Sequence, residues 1–303
     1  MQDIGLFSVL ALLFFGALEW IAESIPNSYT YKRNYMEQHG AQIQTLILGS
    51  SNAYDGLNPS ALPNAFNLAN SSQTLEDDYR LLAKYIDSMD SLHTVIVGLG
   101  YHSLGATTED NRRTYYTIYM DLYPRWPLSK YSFEVCNPEM LIKKIIKYAV
   151  SRDVTRCDSL GQRVGHTKEA ADTGAEWWNK DVQSLVDNDR MVDGKWSMII
   201  EENTRYLRAI VDLCNAHGVQ PVIVQMPVMG EYKNRLPVEQ VKLYEDLLLS
   251  LDSVAICIDA SEWEIPEDGW YNATHLTKEA SEMFANNLFL SIENYKENTH
   301  TRH

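Results

Sequence analysis

The chain has 303 residues, of which 45% are hydrophobic and 22% are charged, so it is long enough to bury a full core. Its formal net charge of −15, from 26 basic and 41 acidic residues, argues against nucleic acid or a broadly anionic polymer as the partner. A local basic site stays compatible with this charge.

The four cysteines show no metal-binding spacing, and no tract is rich in histidine, so the sequence implies neither a metal nor a cofactor. Cys214 and Cys257 fall in apolar elements and are interpreted as buried thiols. Cys136 and Cys157 flank a predicted helix, and a disulfide between them in an oxidising compartment is the alternative to two free thiols.

The first stretch of the chain, Ile4–Ala22, is apolar except for Glu19 and has about the length needed to span a bilayer. No basic segment precedes it and no A-x-A cleavage signal follows it, so we predict a retained anchor rather than a cleaved signal peptide. A buried amphipathic helix is the alternative. Residues 1–26 are therefore assigned to a transmembrane anchor and residues 27–43 to a spacer.

An apolar run then opens a domain and ends in a serine pair. Thr45–Leu48 predicts a buried strand, and Gly49 ends it before Ser50 and Ser51. Active sites of open α/β sheets lie at the carboxyl ends of strands, so a hydroxyl here can be offered to a substrate beside the N–H groups of the turn. The alternative is a serine-rich cap of the next helix.

Strands and helices alternate along the rest of the domain, which covers residues 44–303. The later predicted strands are Ala65–Leu68, Thr94–Leu99, Pro221–Gln225 and Val254–Asp259. The predicted helices follow Thr74, run over Asn137–Val150, Met198–Ala216 and Val238–Leu251, and extend from the cap Thr277 to Tyr295. This alternation predicts an α/β fold with a parallel sheet in a three-layer α/β/α arrangement.

Residues 104–195 do not fit the alternation and are predicted to be a helical, aromatic-rich insertion. Its rings are Tyr115, Tyr116, Tyr119, Tyr123, Trp126, Tyr131, Trp177 and Trp178. They either stack on sugars as a substrate-binding cap or pack an inserted helical layer.

The clearest helix of the insertion has an apolar and a basic side. We expect Met140, Leu141, Ile145 and Tyr148 to face inward and Lys143, Lys144 and Lys147 to face outward. A solvated face is the interpretation we favour for the lysines, with contact to an anionic membrane surface as the alternative.

Two motifs at opposite ends of the domain resemble the SGNH/GDSL hydrolase superfamily. They are Gly49-Ser50-Ser51 followed by Gly56, and Asn272-Ala273-Thr274-His275-Leu276 near the C-terminus. More narrowly, the chain is similar to the membrane-anchored branch that includes alginate-acetylation and other exopolysaccharide-locus proteins. The similarity lies in motif order and spacing over roughly residues 28–295.

The resemblance implies a serine nucleophile and a histidine base, which are Ser51 and His275 here. The family's orienting Asp, three residues before the His, is replaced by Asn272, and Asp268 is near enough in sequence to substitute. Ser50 stands where the GDSL motif has its Asp, as is usual in the resembling branch.

The oxyanion side departs from the family. After the second strand, Asn70 and two serines replace the usual glycine, so the donor is either a backbone N–H or the Asn70 amide. After the third strand the better-known enzymes carry G-x-N-D, whereas this chain has Gly100 and Tyr101 and no asparagine. Both residues are expected to line the site mouth, and His102 is interpreted as a loop histidine bonded to backbone.

The expected orientation follows the resemblance. Lys32 and Arg33 follow the span and Asp3 precedes it, which by the positive-inside tendency would leave the domain in the cytoplasm. The resembling branch carries its domain outside, and long domains translocate regardless of charge. We therefore expect a single-pass inner-membrane protein with an extracytoplasmic domain.

The favoured function is an O-acyl (acetyl) esterase or acyltransferase acting on a cell-surface polysaccharide. Its substrate would be a glycan or another acyl ester, and a membrane-bound O-acyltransferase is a candidate partner. The alternatives are a non-catalytic SGNH-like glycan-binding or assembly factor in polysaccharide biosynthesis and a cytoplasm-facing membrane protein of unrelated function.

Overall fold

The computed structural model describes residues 2–107, 110–152, 155–166, 175–191 and 197–300. The helices are α1 (Gln2–Ser24), α2 (Ser28–His39), α3 (Ser51–Gly56), α4 (Leu75–Tyr85), α5 (Asp110–Ile118), α6 (Pro138–Ser151), α7 (Ala175–Asp189), α8 (Ser197–Ala216), α9 (Gly230–Lys233), α10 (Val238–Leu251) and α11 (Lys278–His300). The strands are β1 (Thr45–Gly49), β2 (Ala65–Asn67), β3 (Thr94–Leu99), β4 (Gln220–Gln225), β5 (Ile256–Asp259), β6 (Trp270–Asn272) and β7 (His275–Leu276). Contacts divide the chain into two compact units: residues 1–38 with 108–156, and residues 39–107 with 157–303.

The second unit is built on a five-stranded parallel sheet in the order β2-β1-β3-β4-β5. Every residue of β1 and of β3 is buried, because both faces of these parallel strands are covered, and apart from an initial threonine neither strand contains a polar residue. The register pairs Gly49 at the end of β1 with Gly98 of β3. The five strands predicted from the sequence are all present, within one or two residues at their ends.

Helices cover both faces of this sheet. On one side α4 packs against α8, with the rings of Tyr79 and Tyr206 5.9 Å apart, while α3 packs against α11. The predicted three-layer α/β/α fold is confirmed. Thr74 forms a capping box with Asp77 at the start of α4, and the Thr277 hydroxyl accepts the Ala280 N–H at the start of α11, both as expected for these caps.

The first unit contains α1, α2, α5 and α6. Its tyrosines form a packed cluster, in which the Tyr29 ring lies 5.3 Å from that of Tyr115 and 5.2 Å from that of Tyr116. Tyr119 and Tyr123 are also buried, so these rings of the predicted insertion pack the interior of the unit. Residues 108–109, 153–154, 167–174 and 192–195 of the insertion, and the side chains of Trp177 and Trp178, lie outside the described part of the chain.

The expectation that Lys144 faces outward is wrong. Its ammonium is buried and donates to the Glu134 carboxylate at 2.6 Å and to the Ala22 carbonyl at 2.7 Å. The periodicity of α6 cannot predict that Lys144 is buried, because the Glu134 carboxylate that neutralises its charge lies in the turn before the helix. Lys143 and Lys147 are exposed as predicted.

One helix in the described residues is long and apolar enough to cross a membrane, over Gly5–Ser24 of α1 with a mean hydropathy of 2.0. Most of its side chains are exposed. All four cysteines, which lie in described segments, are free thiols, so the alternative Cys136–Cys157 disulfide is not formed. Cys214 is buried as expected and Cys257 is partly exposed.

Candidate active site

The turn after β1 presents two serines at the carboxyl edge of the sheet. Gly49 has φ = +128°, and a Cβ there would lie 2.5 Å from the Gly98 carbonyl oxygen, so only glycine fits. Ser50 then occupies the N-cap position of α3, but its side chain makes no capping hydrogen bond. The hydroxyl of the next residue, Ser51, points to a histidine instead. The serine pair is therefore more than a helix cap.

Ser51 Oγ lies 2.8 Å from His275 Nε2. The histidine is delivered by the antiparallel ribbon β6–β7, in which Asn272 pairs with His275. The Asn272 side-chain oxygen accepts the backbone N–H groups of Thr274 and His275, each at 3.0 Å, and lies 2.8 Å from His275 Nδ1. The structure thus brings together the nucleophile, the base and the orienting residue expected from the sequence.

These contacts fix the histidine tautomer. Two backbone N–H donors identify the Asn272 atom facing the ring as its carbonyl oxygen, because the amide nitrogen could not accept them. His275 Nδ1 therefore carries the hydrogen and donates it to Asn272. Nε2 keeps its lone pair and accepts the Ser51 hydroxyl hydrogen, which is the arrangement a general base requires.

Burial lowers the pKa of His275 to about 4. The Asp55 carboxylate acts in the opposite direction, whereas electrostatic interaction with His166 and Arg163 lowers the pKa further. At neutral pH the ring is therefore uncharged and able to take a proton from Ser51.

Beneath the serine lies a charged cluster that sequence reasoning missed. Asp55 is fully buried, and its Oδ2 lies 3.2 Å from Arg163 Nη1, 3.3 Å from His166 Nδ1 and 3.7 Å from His275 Nε2. The His166 ring stacks on Tyr271 at 3.7 Å. Asp55 follows Ser51 by one helical turn on α3, a spacing that could have indicated a carboxylate beside the nucleophile. Nothing in the sequence pattern places Arg163 or His166 there.

Ser50 belongs to a different hydrogen-bond network. Its hydroxyl donates to Asn52 Oδ1 at 3.3 Å and lies 3.1 Å from His102 Nε2, while the Asn52 amide donates to the Thr274 carbonyl at 2.7 Å. His102 thus contacts a side chain rather than backbone alone, contrary to expectation. A Cβ at Gly100 would lie 2.6 Å from Asn52 Oδ1, so glycine is needed for this approach.

Asn70 lies beside the end of β1, where its N–H donates to the Gly49 carbonyl at 3.3 Å. Since the backbone N–H is used, the side-chain amide is the donor of Asn70 that remains for the oxyanion role expected from the sequence. The turn that follows is closed by the Gln73 N–H on the Asn70 carbonyl, with Ser72 at φ = +56°. Asp78 of α4 holds the turn, since its Oδ1 accepts from Gln73 Nε2 at 2.6 Å and from the Gly49 N–H at 2.9 Å.

Two expected site residues occupy other positions. Tyr101 does not line the mouth: its ring is buried against Tyr244, with centroids 5.2 Å apart, and its hydroxyl hydrogen-bonds Ser261. An aromatic ring after a strand end is drawn into the core when a neighbouring helix supplies apolar surface. Asp268 lies in the short 3-10 turn Glu267–Gly269, and the orienting position at His275 Nδ1 is filled by Asn272.

No protein-family model and no curated protein matches the chain. Among solved structures it is similar to a protein assigned as an acylhydrolase from Bacteroides fragilis, with 10% identity over 87% of this chain and 96% of that chain and a TM-score of 0.41. It is also similar to a GDSL-like lipase from Bacteroides thetaiotaomicron, with 10% identity over 88% and 99% of the two chains and a TM-score of 0.42. At this distance neither structure decides the activity, which has to be inferred from the site itself.

Proposed function

We propose that this protein is a serine O-acyl esterase or acyltransferase with Ser51 as its nucleophile. The observation that supports this most strongly is the directed chain Ser51 O–H to His275 Nε2, with His275 Nδ1–H donating to Asn272. Each step is within hydrogen-bond distance, and the tautomer is the one that lets the ring accept a proton.

In the proposed reaction Ser51 Oγ attacks the ester carbonyl carbon while its proton moves to His275 Nε2. The tetrahedral intermediate collapses by breaking the bond to the alcohol, which leaves with that proton, and an acyl-serine remains. Water or a sugar hydroxyl then gives its proton to His275 and attacks the acyl carbon. The bond from that carbon to Ser51 Oγ breaks, and His275 returns the proton to Ser51. Water as acceptor gives an esterase, and a sugar hydroxyl gives a transferase.

The developing oxyanion needs hydrogen-bond donors. Ser51 begins α3, and the N–H groups in the first turn of a helix have no partner within the helix. We propose that they act together with the side-chain amide of Asn70, whose backbone N–H donates to the Gly49 carbonyl at the end of β1. The asparagine missing from the loop after β3 is thus not required for an oxyanion site in our proposal.

Asn272 orients the ring but brings no negative charge. We assign the electrostatic part to Asp55, whose Oδ2 lies 3.7 Å from His275 Nε2. Two opposite unit charges at about this distance attract by roughly 4 kcal/mol at an effective dielectric constant of 20. Arg163 opposes part of this attraction. The carboxylate stabilises the imidazolium that forms during attack, so the two functions of a triad aspartate fall on two residues.

We further propose that the acyl group is an acetyl or similar group on a cell-surface polysaccharide. The resemblance to the membrane-anchored exopolysaccharide branch and the apolar helix α1 support this substrate class and an extracytoplasmic domain held at the inner membrane. A membrane-bound O-acyltransferase would be the partner that supplies or competes for acyl groups.

A non-catalytic glycan-binding factor is the second candidate, because Asn272 replaces the usual carboxylate. Labelling of the full chain in detergent by a fluorophosphonate, with hydrolysis of p-nitrophenyl acetate, separates the two. We expect Ser51→Ala to abolish both signals, while Ser50→Ala, which removes the adjacent hydroxyl, only reduces the rate. Equal rates in wild type and Ser51→Ala would refute the covalent mechanism, and no labelling of wild type would favour binding.

A further inference from the structure

The C-terminal end of α1 is held by hydrogen bonds and ion pairs within its own unit. The Glu19 carboxylate accepts the N–H groups of Glu134 at 2.9 Å and Val135 at 3.0 Å. Lys144 of α6 donates to the Ala22 carbonyl, and Arg125 pairs with Glu23 at 3.0 Å. Residues 124–152, here called the collar, therefore contact α1 only a turn or so before its end.

The position of these contacts along α1 determines where the collar would lie relative to a bilayer that α1 crosses. A helix rises about 1.5 Å per residue, so the 20 residues Gly5–Ser24 cover about 30 Å, the thickness of the hydrocarbon core. If α1 spans the membrane, Glu19, Ala22 and Glu23 lie where hydrocarbon gives way to headgroups. The collar then lies at the surface of the bilayer. Glu19 is satisfied by collar backbone, so its carboxylate needs no lipid partner.

The collar exposes apolar side chains. Ile142, Ile146 and Val150 are spaced four residues apart, so they form one stripe along α6, and all three are exposed. Trp126 and Leu128, next to the Arg125 contact, are exposed as well. Exposed apolar stripes of this kind indicate an interaction surface.

The charge of the collar is opposite to that of the chain. Its 29 residues hold six basic and two acidic side chains, whereas the whole chain carries −15. Lys143 and Lys147 flank the apolar stripe and are exposed. An apolar stripe flanked by lysines is typical of helices that lie in the interface of anionic membranes.

We propose that the collar lies on the headgroup layer of the membrane that α1 enters, with the α6 stripe in the upper acyl region and the lysines at anionic headgroups. This rests on the membrane attachment through α1 in the proposed function, and it does not depend on the esterase chemistry. Contact between the collar and the headgroups would limit how far its unit tilts relative to the membrane plane. Attachment through α1 alone would leave this tilt free.

Photo-crosslinking of the full chain in nanodiscs tests the contact. Ile146→p-benzoylphenylalanine is compared with the same probe at Leu12 of α1, which is 73% exposed, and at Leu249 of α10, which is 75% exposed beside Glu245 and Asp246. We expect phospholipid adducts at positions 12 and 146 but not at 249. The adduct at 146 should fall at least three-fold when phosphatidylglycerol is replaced by phosphatidylcholine, and also in Lys143→Glu/Lys147→Glu.

The other outcomes overturn the proposal in distinguishable ways. An adduct at position 12 without one at 146 refutes the collar contact and leaves the anchor intact. No adduct at 12 refutes the anchor and the collar contact together. A protein adduct at 146 shows that a second copy or another protein covers the stripe. Equal adducts at 146 and 249 show that the probe reports exposure alone.

Discussion

Asn272, which we propose takes the place of a triad aspartate, is firmly held in one orientation. Its side-chain oxygen accepts two backbone N–H groups and the ring N–H of His275, so the wrong amide orientation would break three hydrogen bonds. When a protease Asp is replaced by Asn, the loss of about 10⁴-fold comes from the wrong tautomer. Here the tautomer is the one a base requires, and what Asn272 itself lacks is the negative charge, which in the proposed mechanism comes from the more distant Asp55.

Asn272→Asp should therefore raise esterase turnover on the order of ten-fold, which is about 1.4 kcal/mol of barrier. Asn272→Ala should lower turnover more than Asp268→Ala, because Asn272 Oδ1 lies 2.8 Å from His275 Nδ1 and holds the ring. Initial rates on p-nitrophenyl acetate check both. If Asp268→Ala is the more damaging and Asn272→Asp changes nothing, Asp268 is the third member and Asn272 only shapes the turn.

The position of Asp55 leads to a second prediction, which concerns the pH dependence of catalysis. Because a general base must be unprotonated and the pKa of His275 is about 4, the acid limb of the kcat/KM profile should lie near pH 4 rather than 6.5. Asp55→Asn removes a carboxylate that raises this pKa, so the limb should move to lower pH while the plateau falls about ten-fold.

Asp87→Asn, which alters an exposed carboxylate paired with His217, is the matched control and should leave the profile unchanged. A purely structural role of Asp55 would lower the amount of folded protein without moving the limb. A profile of Asp55→Asn that coincides with wild type after correction for active protein excludes the electrostatic role.

Local sequence patterns predicted the strands and helix starts that depend on only a few neighbouring residues. The five sheet strands follow from continuous apolar runs, and α4 and α11 begin at the expected caps. The proximity of Ser51 and His275 was expected from the two motifs that resemble the hydrolase superfamily, while their catalytic roles stay a prediction. Arg163 and His166 were missed because the segment that carries them has no periodic pattern, and Lys144 was misplaced because its partner lies outside its helix.

The stability of the folded chain should depend on pH through Asp78, which holds the turn before α4. Burial raises the pKa of Asp78 to about 7, while hydrogen bonds from Gln73 and Gly49 lower it, so the folded chain binds a proton that the unfolded chain has released above pH 4. Stability from this group is complete below its unfolded pKa and is lost as pH rises towards 7. Each pKa unit corresponds to about 1.4 kcal/mol, so the loss is on the order of 1–4 kcal/mol.

Asp78→Asn keeps the acceptor oxygen without a titrating charge. Thermal unfolding in detergent between pH 4 and 8 should show wild type losing stability relative to the variant as pH rises. Asp77→Asn, changed at the neighbouring cap, tests whether any acid of α4 has this effect. Parallel pH curves for wild type and Asp78→Asn would show that the buried carboxyl does not titrate in this range.

If the apolar helix α1 spans a membrane, the orientation of this acidic chain decides which substrates the molecule meets. Lys32 and Arg33 are the basic residues that closely follow α1 in the sequence, and Arg33 is paired with Glu37 at 2.7 Å. Two positive charges are a weak signal for retaining a domain of this length in the cytoplasm. A glycan-acting esterase requires the opposite placement, with the carboxyl-terminal domain outside.

We therefore predict that alkaline phosphatase fused after His303 is active in intact cells, because that enzyme folds only in an oxidising compartment. A green fluorescent protein at the same position should be dark, and the protein should resist carbonate extraction. Removal of residues 2–24 should abolish phosphatase activity and release the fusion into the soluble fraction. An inactive phosphatase with a fluorescent counterpart would place the domain in the cytoplasm, where a surface polysaccharide cannot reach Ser51, and would leave an intracellular acyl ester as the substrate to seek.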